Sequence, residues 1–516
     1  MPGPASQRKI PDIKAAIESG KLSEKVIDER VLAVLKLVKQ AGKFENPEEL
    51  EEQAINRPED GALIRTVGAQ GVVLLKNENG TLPLQAEKVK STVLFGLAKE
   101  CLAHGGGSAS VNCHYKITPY GAFKSRLGDG VDLTCSQGKW ASIGTPCVAA
   151  KLETRLHPTV SGSHYLAFSS LGPATVTINS KKIFDVTEYN DDAMRFHLGG
   201  SVQEQKQFDF EKGKEYEIDV EAFGLPTGDE TFSLFRGMIG LQLGFMLQEE
   251  YEKDMLAEAV EAAKAAEIAV VFVGNTTAWE TEGQDQPSMN IPVNGSQDRL
   301  ISTVAAVNPN TTVIINTGVA IAMPWLSSVK AVIQSWFLGQ EAGKSIADVI
   351  FGTVNPSGRR ITKKTFISVN YRFFDKHPEK IQFPFGFGLS YTEFEIRTIP
   401  QEKLVLPKEK SIDLHATVKN IGAVAGSHVV QVYLAPSSTE DRPDKTLAGF
   451  AKVTLAAGEE KDVKIIVTFE SAAIWDEGAN FWTVVKGDYK LLLGSSSQDI
   501  VGSQAFFVEE TFTYQP

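Results

Sequence analysis

The sequence predicts an α/β sandwich, in which a parallel-rich sheet is flanked by helices, together with two β-sandwich domains. Short apolar strands alternate with helix-like segments in two separated stretches, near 60–96 and 248–351. Strictly alternating apolar and polar residues fill the interval between those stretches and return beyond Thr392. The first pattern is typical of a parallel sheet covered on both faces, and the second of half-buried sandwich strands.

Length and charge agree with a folded protein of several domains. The 516 residues correspond to roughly three domains of about 150 residues. With 52 Lys and Arg against 64 Asp and Glu, the net charge is -12, and no dense basic run occurs, so nucleic acid and anionic membranes are poor partners. No apolar run approaches the ~20 residues of a membrane-spanning helix.

The chain begins on two short amphipathic helices. Ile13, Ala16 and Ile17 share one face, and after Ser23, the expected N-cap, apolar residues recur at three- and four-residue steps as far as Val38. Their apolar faces need a partner to cover them. We therefore expect either that the chain self-associates or that a preceding part of the domain is missing. No secretory signal is visible in this sequence. We expect a secreted protein if a missing N-terminal segment carried such a signal, and a cytoplasmic protein otherwise.

The domains are predicted in the order of these patterns. The α/β sandwich is discontinuous, over 44–119 and 246–391, with a β-sandwich inserted at 120–245. Its second part has helices at 248–266, 297–307 and 341–351 and strands at 268–274, 312–317 and 331–336. Residues 392–516 fit a sandwich of the immunoglobulin or fibronectin type III kind, although periodicity alone does not separate these from other seven-strand domains.

The loop after the strand at 268–274 is the candidate site. Ligands bind beyond the carboxyl ends of parallel strands, and this loop carries Trp279, Glu280, Glu282 and Asp285 there. A tryptophan offers an apolar face for a sugar ring, and a carboxyl group beside it loses water and has its pKa raised, as a general acid requires. A solvated acidic loop has the same composition, so the residues alone leave both interpretations open.

Other site types find little support. The Gly-rich stretch 105–110 lacks a dinucleotide or phosphate-loop spacing, so we expect no cofactor, and the sequence contains neither a metal-ligand pattern nor a serine-nucleophile motif. The four cysteines, within 47 residues, permit two disulfides or none. Four sequons could carry glycans in a secreted protein: Asn79, Asn275, Asn294 and Asn310.

Taken together, several motifs resemble glycoside hydrolase family 3, specifically β-glucosidases with a protective-antigen-like insertion. The motifs are Gly71–Asn77, Gly105–Ser110, Trp279–Gln286, Val354–Gly358, Phe383–Thr392, Gly449–Val453 and Trp475–Asp476. The resemblance implies that 120–245 is the protective-antigen-like β-sandwich and that 392–516 is a fibronectin type III-like domain. It also implies that 1–43 are the terminal helices of a truncated (β/α)8 TIM barrel.

The resemblance further implies retaining hydrolysis of terminal β-D-glucosyl residues in small β-glucosides or cello-oligosaccharides. Glu282 matches the acid/base, with Glu280 in reserve, and Trp279 and Asp285 lie on the substrate side. The family nucleophile stands in a Ser/Thr-Asp-Trp motif of the barrel, and this sequence contains no Asp-Trp dipeptide.

Other departures from the family pattern are an opening Met1-Pro2-Gly3-Pro4, which relatives carry near the end of the barrel, Gln286 in place of an arginine, and a short segment between Phe366 and Tyr371. We therefore expect the 516-residue chain alone to be inactive or nearly so. The alternative is a non-catalytic carbohydrate-binding or vestigial scaffold protein.

Overall fold

The chain divides into two compact units, Met1–Arg57 and Pro58–Pro516. The computed structural model describes residues 9–515 other than 50, 101–102, 107–108, 110, 129–130, 136–142, 147–148, 191–192, 194–195, 197–202, 226–237, 277–278, 281–284, 293, 360–370, 403, 409, 437–441 and 479.

The helices of the described residues are, in chain order, α1 (Ile10–Glu18), α2 (Glu24–Gln40), α3 (Pro58–Gly71), α4 (Pro119–Leu127), α5 (Gln248–Glu252), α6 (Met255–Ala265), α7 (Ser296–Val307), α8 (Ala342–Ile350) and α9 (Tyr371–Lys376).

The strands of the described residues are β1 (Val73–Asn77), β2 (Ser91–Gly96), β3 (Asp132–Cys135), β4 (Ile143–Pro146), β5 (Ala149–Leu156), β6 (Gly162–Ser170), β7 (Ala174–Ile178), β8 (Lys181–Val186), β9 (Glu204–Phe210), β10 (Tyr216–Phe223), β11 (Met238–Met246), β12 (Ile268–Gly274), β13 (Thr311–Asn316), β14 (Ala331–Gln334), β15 (Phe394–Thr398), β16 (Leu404–Leu406), β17 (Ser411–Asn420), β18 (Gly426–Pro436), β19 (Thr446–Leu455), β20 (Glu460–Thr468), β21 (Ala473–Asp476), β22 (Phe481–Val484), β23 (Gly487–Gly494), β24 (Ile500–Val508) and β25 (Phe512–Tyr514).

The first unit holds α1 and α2, and neither helix contains a buried residue. Some apolar side chains along α2, such as Val34 and Leu37, are more than half exposed. Ser23 stands at the N-cap position of α2 with an extended backbone, but its side chain makes no capping hydrogen bond. Ser23 is therefore the N-cap residue that the sequence predicts, although its hydroxyl group does not satisfy a backbone N–H of the first turn.

The α/β part of the second unit is built on a six-stranded sheet in the order β1-β14-β13-β12-β2-β3. Five of its strands run parallel, and β1 pairs antiparallel with β14 at one edge. Apolar side chains of successive residues, such as Val270 and Val271, enter cores on opposite faces of this sheet, which helices cover. The predicted mixed α/β domain is confirmed.

One helix boundary differs from the prediction. The periodicity at 248–266 predicts one helix, whereas the structure has α5 and α6, separated at Lys253–Asp254. The Asp254 carboxylate accepts a hydrogen bond from the backbone N–H of Ala257 at 2.9 Å, and so caps the start of α6. A local side-chain cap therefore restarts the helix where hydrophobic spacing alone would continue it.

The two remaining parts are β-rich, as the alternation predicts. Strands β4 to β11 form two four-stranded sheets, β5-β10-β7-β8 and β4-β11-β6-β9, with one shared apolar core. Along β10, Tyr216, Ile218, Val220 and Ala222 are buried and alternate with more exposed residues.

The C-terminal strands form a three-stranded sheet, β15-β17-β20, and a five-stranded sheet, β16-β24-β23-β18-β19, around a second shared core. The short strands β21, β22 and β25 form a further sheet. Among the described helices, none is long and apolar enough to cross a membrane.

Candidate functional site

The carboxyl ends of the parallel strands β2, β12, β13 and β14 meet at one edge of the six-stranded sheet, here called the carboxyl edge. Several polar side chains at or just beyond these strand ends are buried, which is costly unless they are hydrogen-bonded. They are Asn275, Asn316, Thr317, Gln334 and Ser335. The edge is thus a polar framework from which the loops emerge.

The loop after β12 is fixed at its base by the side chain of Gln297, from α7. Gln297 Oε1 accepts from the backbone N–H of Gly274 at 2.8 Å, and Gln297 Nε2 donates to the Gly274 carbonyl at 2.9 Å. The side-chain amide satisfies both backbone groups of the last residue of β12. The position at which the loop leaves the sheet is therefore set by a helix residue that the sequence patterns do not single out.

Trp279 and Glu280 lie on a tight turn of this loop. The backbone N–H groups of both residues donate to the carbonyl of Thr276, each at 2.9 Å. The Trp279 side chain is 36% exposed, and its carbonyl accepts from Gln286 Nε2 at 3.0 Å. Asp285 is exposed on the same loop. Both side chains are accessible to solvent. That Trp279 and Asp285 face the substrate stays a prediction from the sequence.

The Glu280 carboxyl points back toward the sheet. Its Oε1 accepts from the backbone N–H of Gly318 at 2.7 Å, in the loop after β13, and its Oε2 accepts from Asn275 Nδ2 at 3.1 Å. Burial raises the pKa of Glu280, and the hydrogen bonds from Asn275, Gly318 and Val319 act against that rise. A carboxyl group with a raised pKa thus lies at this edge, and it accepts hydrogen bonds from the loops around it.

Part of the Gly-rich stretch joins the same assembly. The backbone N–H of Gly106 donates to the Glu280 carbonyl at 3.0 Å, and the N–H of Gly339 donates to the Ala103 carbonyl at 2.9 Å. The loops after β2, β12 and β14 are therefore hydrogen-bonded to one another. Residues 107, 108 and 110 of this stretch lie outside the described residues.

Glu282, the predicted acid/base, also lies outside the described residues. It is two residues beyond Glu280 in the sequence. Its assignment remains a prediction from the sequence.

The four predicted glycosylation sites differ in accessibility. Asn79, Asn294 and Asn310 are exposed. Asn275 is only 2% exposed, and its amide nitrogen is the donor to Glu280. A glycan at Asn275 would require that amide to leave its buried position, so we retain only the other three as expected acceptors.

Within the part of the chain that the structure describes, no three His, Cys, Asp or Glu side chains are grouped to bind a metal ion. Cys113 is free, while the side chains of the other three cysteines lie outside the described residues. The disulfide question therefore stays as the sequence leaves it.

Comparison with known proteins places this edge in a family. Residues 72–391 match the glycosyl hydrolase family 3 C-terminal domain, and residues 428–497 match a fibronectin type III-like domain. The chain is 38% identical to beta-glucosidase B of Emericella nidulans, in an alignment that covers all of this chain and 71% of that protein. It is 33% identical to a probable beta-glucosidase I of the same organism, over 96% of this chain and 68% of that protein.

Solved structures agree with the sequence comparison. The fold superimposes on the crystal structure of a beta-glucosidase from Kluyveromyces marxianus in complex with glucose with a TM-score of 0.81 at 28% identity, covering 100% of this chain and 71% of that one. The family that the sequence motifs predict is therefore confirmed, and the chain belongs to glycoside hydrolase family 3.

Proposed function

We propose that this chain serves hydrolysis of terminal, non-reducing β-D-glucosyl residues, with retention of configuration, in small β-glucosides or cello-oligosaccharides. The relatives with 33–38% identity are named as β-glucosidases, and a structural neighbour was solved with glucose. The observation that carries the proposal is the carboxyl-bearing loop of β12, held at the carboxyl edge of the domain that matches the family.

The chemistry requires two carboxyl groups on opposite sides of the scissile bond. In a retaining glycosidase they stand about 5–5.5 Å apart, one attacking the anomeric carbon while the other protonates the leaving oxygen and later activates water. We assign the second role to Glu282, with Trp279 stacking on the sugar and Asp285 accepting from its hydroxyl groups. These roles rest on the match of 279–286 to the family motif.

The nucleophile is the open part of this proposal. The resemblance expects it before a tryptophan, and the 516 residues contain no Asp-Trp dipeptide. We propose that the nucleophile belongs to an N-terminal (β/α)8 barrel, of which 1–43 would be the closing helices. Loss of the attacking group removes the covalent step, so we expect hydrolysis by the 516-residue chain alone to be slower than that of a complete enzyme by several orders of magnitude.

The experiment gives the purified chain 4-nitrophenyl β-D-glucoside and measures both release of 4-nitrophenol and glucose binding by calorimetry. Glucose binding with negligible hydrolysis supports a glucoside site that lacks its nucleophile. Rapid hydrolysis that Glu282→Gln abolishes supports the reaction and shows that another carboxylate of this chain attacks. A chain that neither binds glucose nor hydrolyses the glucoside would contradict the proposal.

The missing motif also favours the second candidate, a carbohydrate-binding protein without catalysis. The two candidates differ in what Glu282→Gln does. A vestigial loop tolerates that substitution with unchanged glucose affinity and no activity to lose, whether or not an N-terminal barrel domain is supplied in cis. A catalytic acid makes hydrolysis by the barrel-containing protein depend on Glu282.

A further inference from the structure

The Glu280 carboxyl group is held by several hydrogen bonds from the surrounding loops. Oε1 accepts from the backbone N–H of Gly318, and Oε2 accepts from the buried amide of Asn275. The backbone N–H of Val319 also donates to this carboxyl group. Three protein donors therefore converge on one carboxyl group. Hydrogen bonds of this kind are strongest when the acceptor is ionised.

The backbone of the same residue makes a link in another direction. The Glu280 carbonyl accepts from the N–H of Gly106 at 3.0 Å. Gly106 follows β2, Asn275 follows β12, and Gly318 follows β13. One residue thus joins the loops that leave three neighbouring parallel strands.

Gly318 is shaped to receive this carboxyl group. A Cβ on Gly318 would collide with Glu280 Oε1 and would stand 3.3 Å from Phe337 Cε2. The same ring atom would lie 3.6 Å from a Cβ on Gly105. Gly318 has no left-handed backbone that would call for glycine, so the space taken by Glu280 and Phe337 accounts for it.

A general acid at neutral pH must hold a proton and present it to substrate. A proton on either oxygen of Glu280 removes the negative charge, so the hydrogen bonds that the carboxylate accepts from the protein become weaker. The raised pKa of this group reflects burial beneath the loop and does not by itself indicate an acid.

We propose that Glu280 is a positioning residue whose carboxylate clamps the Trp279 loop onto the loops that follow β2 and β13, so that the three act as one rigid substrate-binding edge. This proposal rests on the proposed function, because that function is what makes the edge a glucoside-binding surface. Under this proposal Glu280 is no longer the alternative candidate for the acid/base, and that role is left to Glu282.

The test compares the full chain with three variants by amide hydrogen exchange and by glucose binding. Glu280→Ala removes every side-chain link. Glu280→Gln keeps an oxygen that can accept from Gly318, and the Asn275 amide can turn to face the new NH2 group. Gly318→Ala displaces the carboxyl group without changing it.

Glu267→Ala is the matched control. Glu267 Oε2 accepts from the backbone N–H of Lys90 at 3.1 Å, which is a contact of the same kind at the opposite edge of the same sheet. Its loss should accelerate exchange at Lys90 and leave the carboxyl edge unaltered.

In Glu280→Ala, exchange at Gly318 and Val319 should rise about tenfold, as expected for the loss of a hydrogen bond to a charged group. Exchange at Gly106 should rise as well, although its own acceptor is a backbone carbonyl that the substitution keeps. Glucose affinity should fall, and Glu280→Gln should restore both properties. Gly318→Ala should resemble Glu280→Ala at Val319 and Gly106.

Unchanged exchange at Gly106 in Glu280→Ala would overturn the clamp. So would a Glu280→Gln variant with wild-type exchange whose glucose affinity is as low as that of Glu280→Ala, because a residue that acts only by holding the loops in place would be rescued by the conservative variant. If the wild-type chain neither binds glucose nor hydrolyses the glucoside, the proposed function fails, while the exchange rates still decide whether the clamp exists.

Discussion

Hydrogen-bonded polar side chains fix loops in two regions of the second unit, and the two regions use them differently. At the carboxyl edge they hold loops that also present exposed groups, such as Trp279 and Asp285. At the junction between the α/β domain and the C-terminal sandwich, the hydrogen bonds of these side chains link them to one another and to the backbone. The first arrangement leaves side chains free for a ligand, whereas the second joins two domains.

Arg359 lies at the centre of that junction. Its Nη1 donates to the carbonyl of Gly388 at 3.0 Å and to that of Gly358 at 3.2 Å, and its Nη2 lies 3.1 Å from Nδ1 of His428, at the start of β18. Within the described residues, no carboxylate pairs with this guanidinium, and burial lowers the pKa of Arg359 to about 10. Arg359 is therefore a buried cation that neutral acceptors hold in place.

Asn355 makes a second link across the junction. Its Oδ1 accepts from Ser390 Oγ at 2.7 Å and from the backbone N–H of Tyr391 at 2.9 Å, and its Nδ2 donates to the carbonyl of Ala425 at 3.0 Å. The motifs 354–358 and 383–392, which help to identify the family from sequence, therefore build the domain junction. A specific motif can report on assembly as readily as on chemistry.

The strongest way to break the junction while sparing the edge is Arg359→Met. Two carbonyls and an imidazole nitrogen lose their donor in a buried place, so we expect the free energy of unfolding to fall by about 3 kcal/mol. Urea denaturation followed by circular dichroism measures this change.

Arg397→Met serves as its control, because Arg397 pairs with Glu460 on an exposed face of the C-terminal sandwich. We expect a change within about 0.5 kcal/mol there. Equal losses in the two variants would contradict the assignment of the junction to Arg359.

The comparison also shows how far the sequence could lead. Strand β12 begins and ends where its apolar run does, at 268 and 274, because a fully buried parallel strand leaves a continuous hydrophobic signal. The same reasoning places Trp279 and Glu280 at the carboxyl edge. It gives no sign that Glu280 turns inward, because its partners Gly106 and Gly318 come from other loops and carry no pattern of their own.

His428 gives the junction a pH dependence at acidic pH. Burial, and then the charge of Arg359, lower the pKa of His428 to about 3, from about 6.5 in an unfolded chain. The groups that face its ring are Arg359 and Phe394, with Lys452 packed near Arg359, and none is an acid. The neutral imidazole is therefore the form that the folded protein requires.

The sign of the effect follows from proton binding. Above pH 6.5 neither state binds a proton at this histidine, and the stability is complete. Between pH 6.5 and about 3 the unfolded chain is protonated and the folded one is not, so stability falls by about 1.4 kcal/mol for each pH unit.

His428→Asn keeps an acceptor for Arg359 and removes the titration. Urea midpoints measured from pH 7 to pH 4 should therefore decline less steeply in this variant than in the wild type. Parallel slopes would contradict the prediction, since the carboxylates common to both proteins would then account for the whole decline.

The smallest stability effect is expected at the edge itself, in Trp279→Ala. The indole is more than one-third exposed, and the side chain is not part of the apolar cores, so the free energy of unfolding should fall by about 1 kcal/mol or less. Glucose affinity should nevertheless fall about tenfold if the ring stacks on the sugar, because an aromatic contact contributes about 1 kcal/mol beyond its buried area.

Trp475→Ala, with 44% exposure on the C-terminal sandwich, is the matched control and should leave glucose affinity unchanged. Calorimetric titration with glucose separates the two outcomes, and equal affinities in wild type and Trp279→Ala would mean that the exposed face of this loop takes no part in holding the sugar.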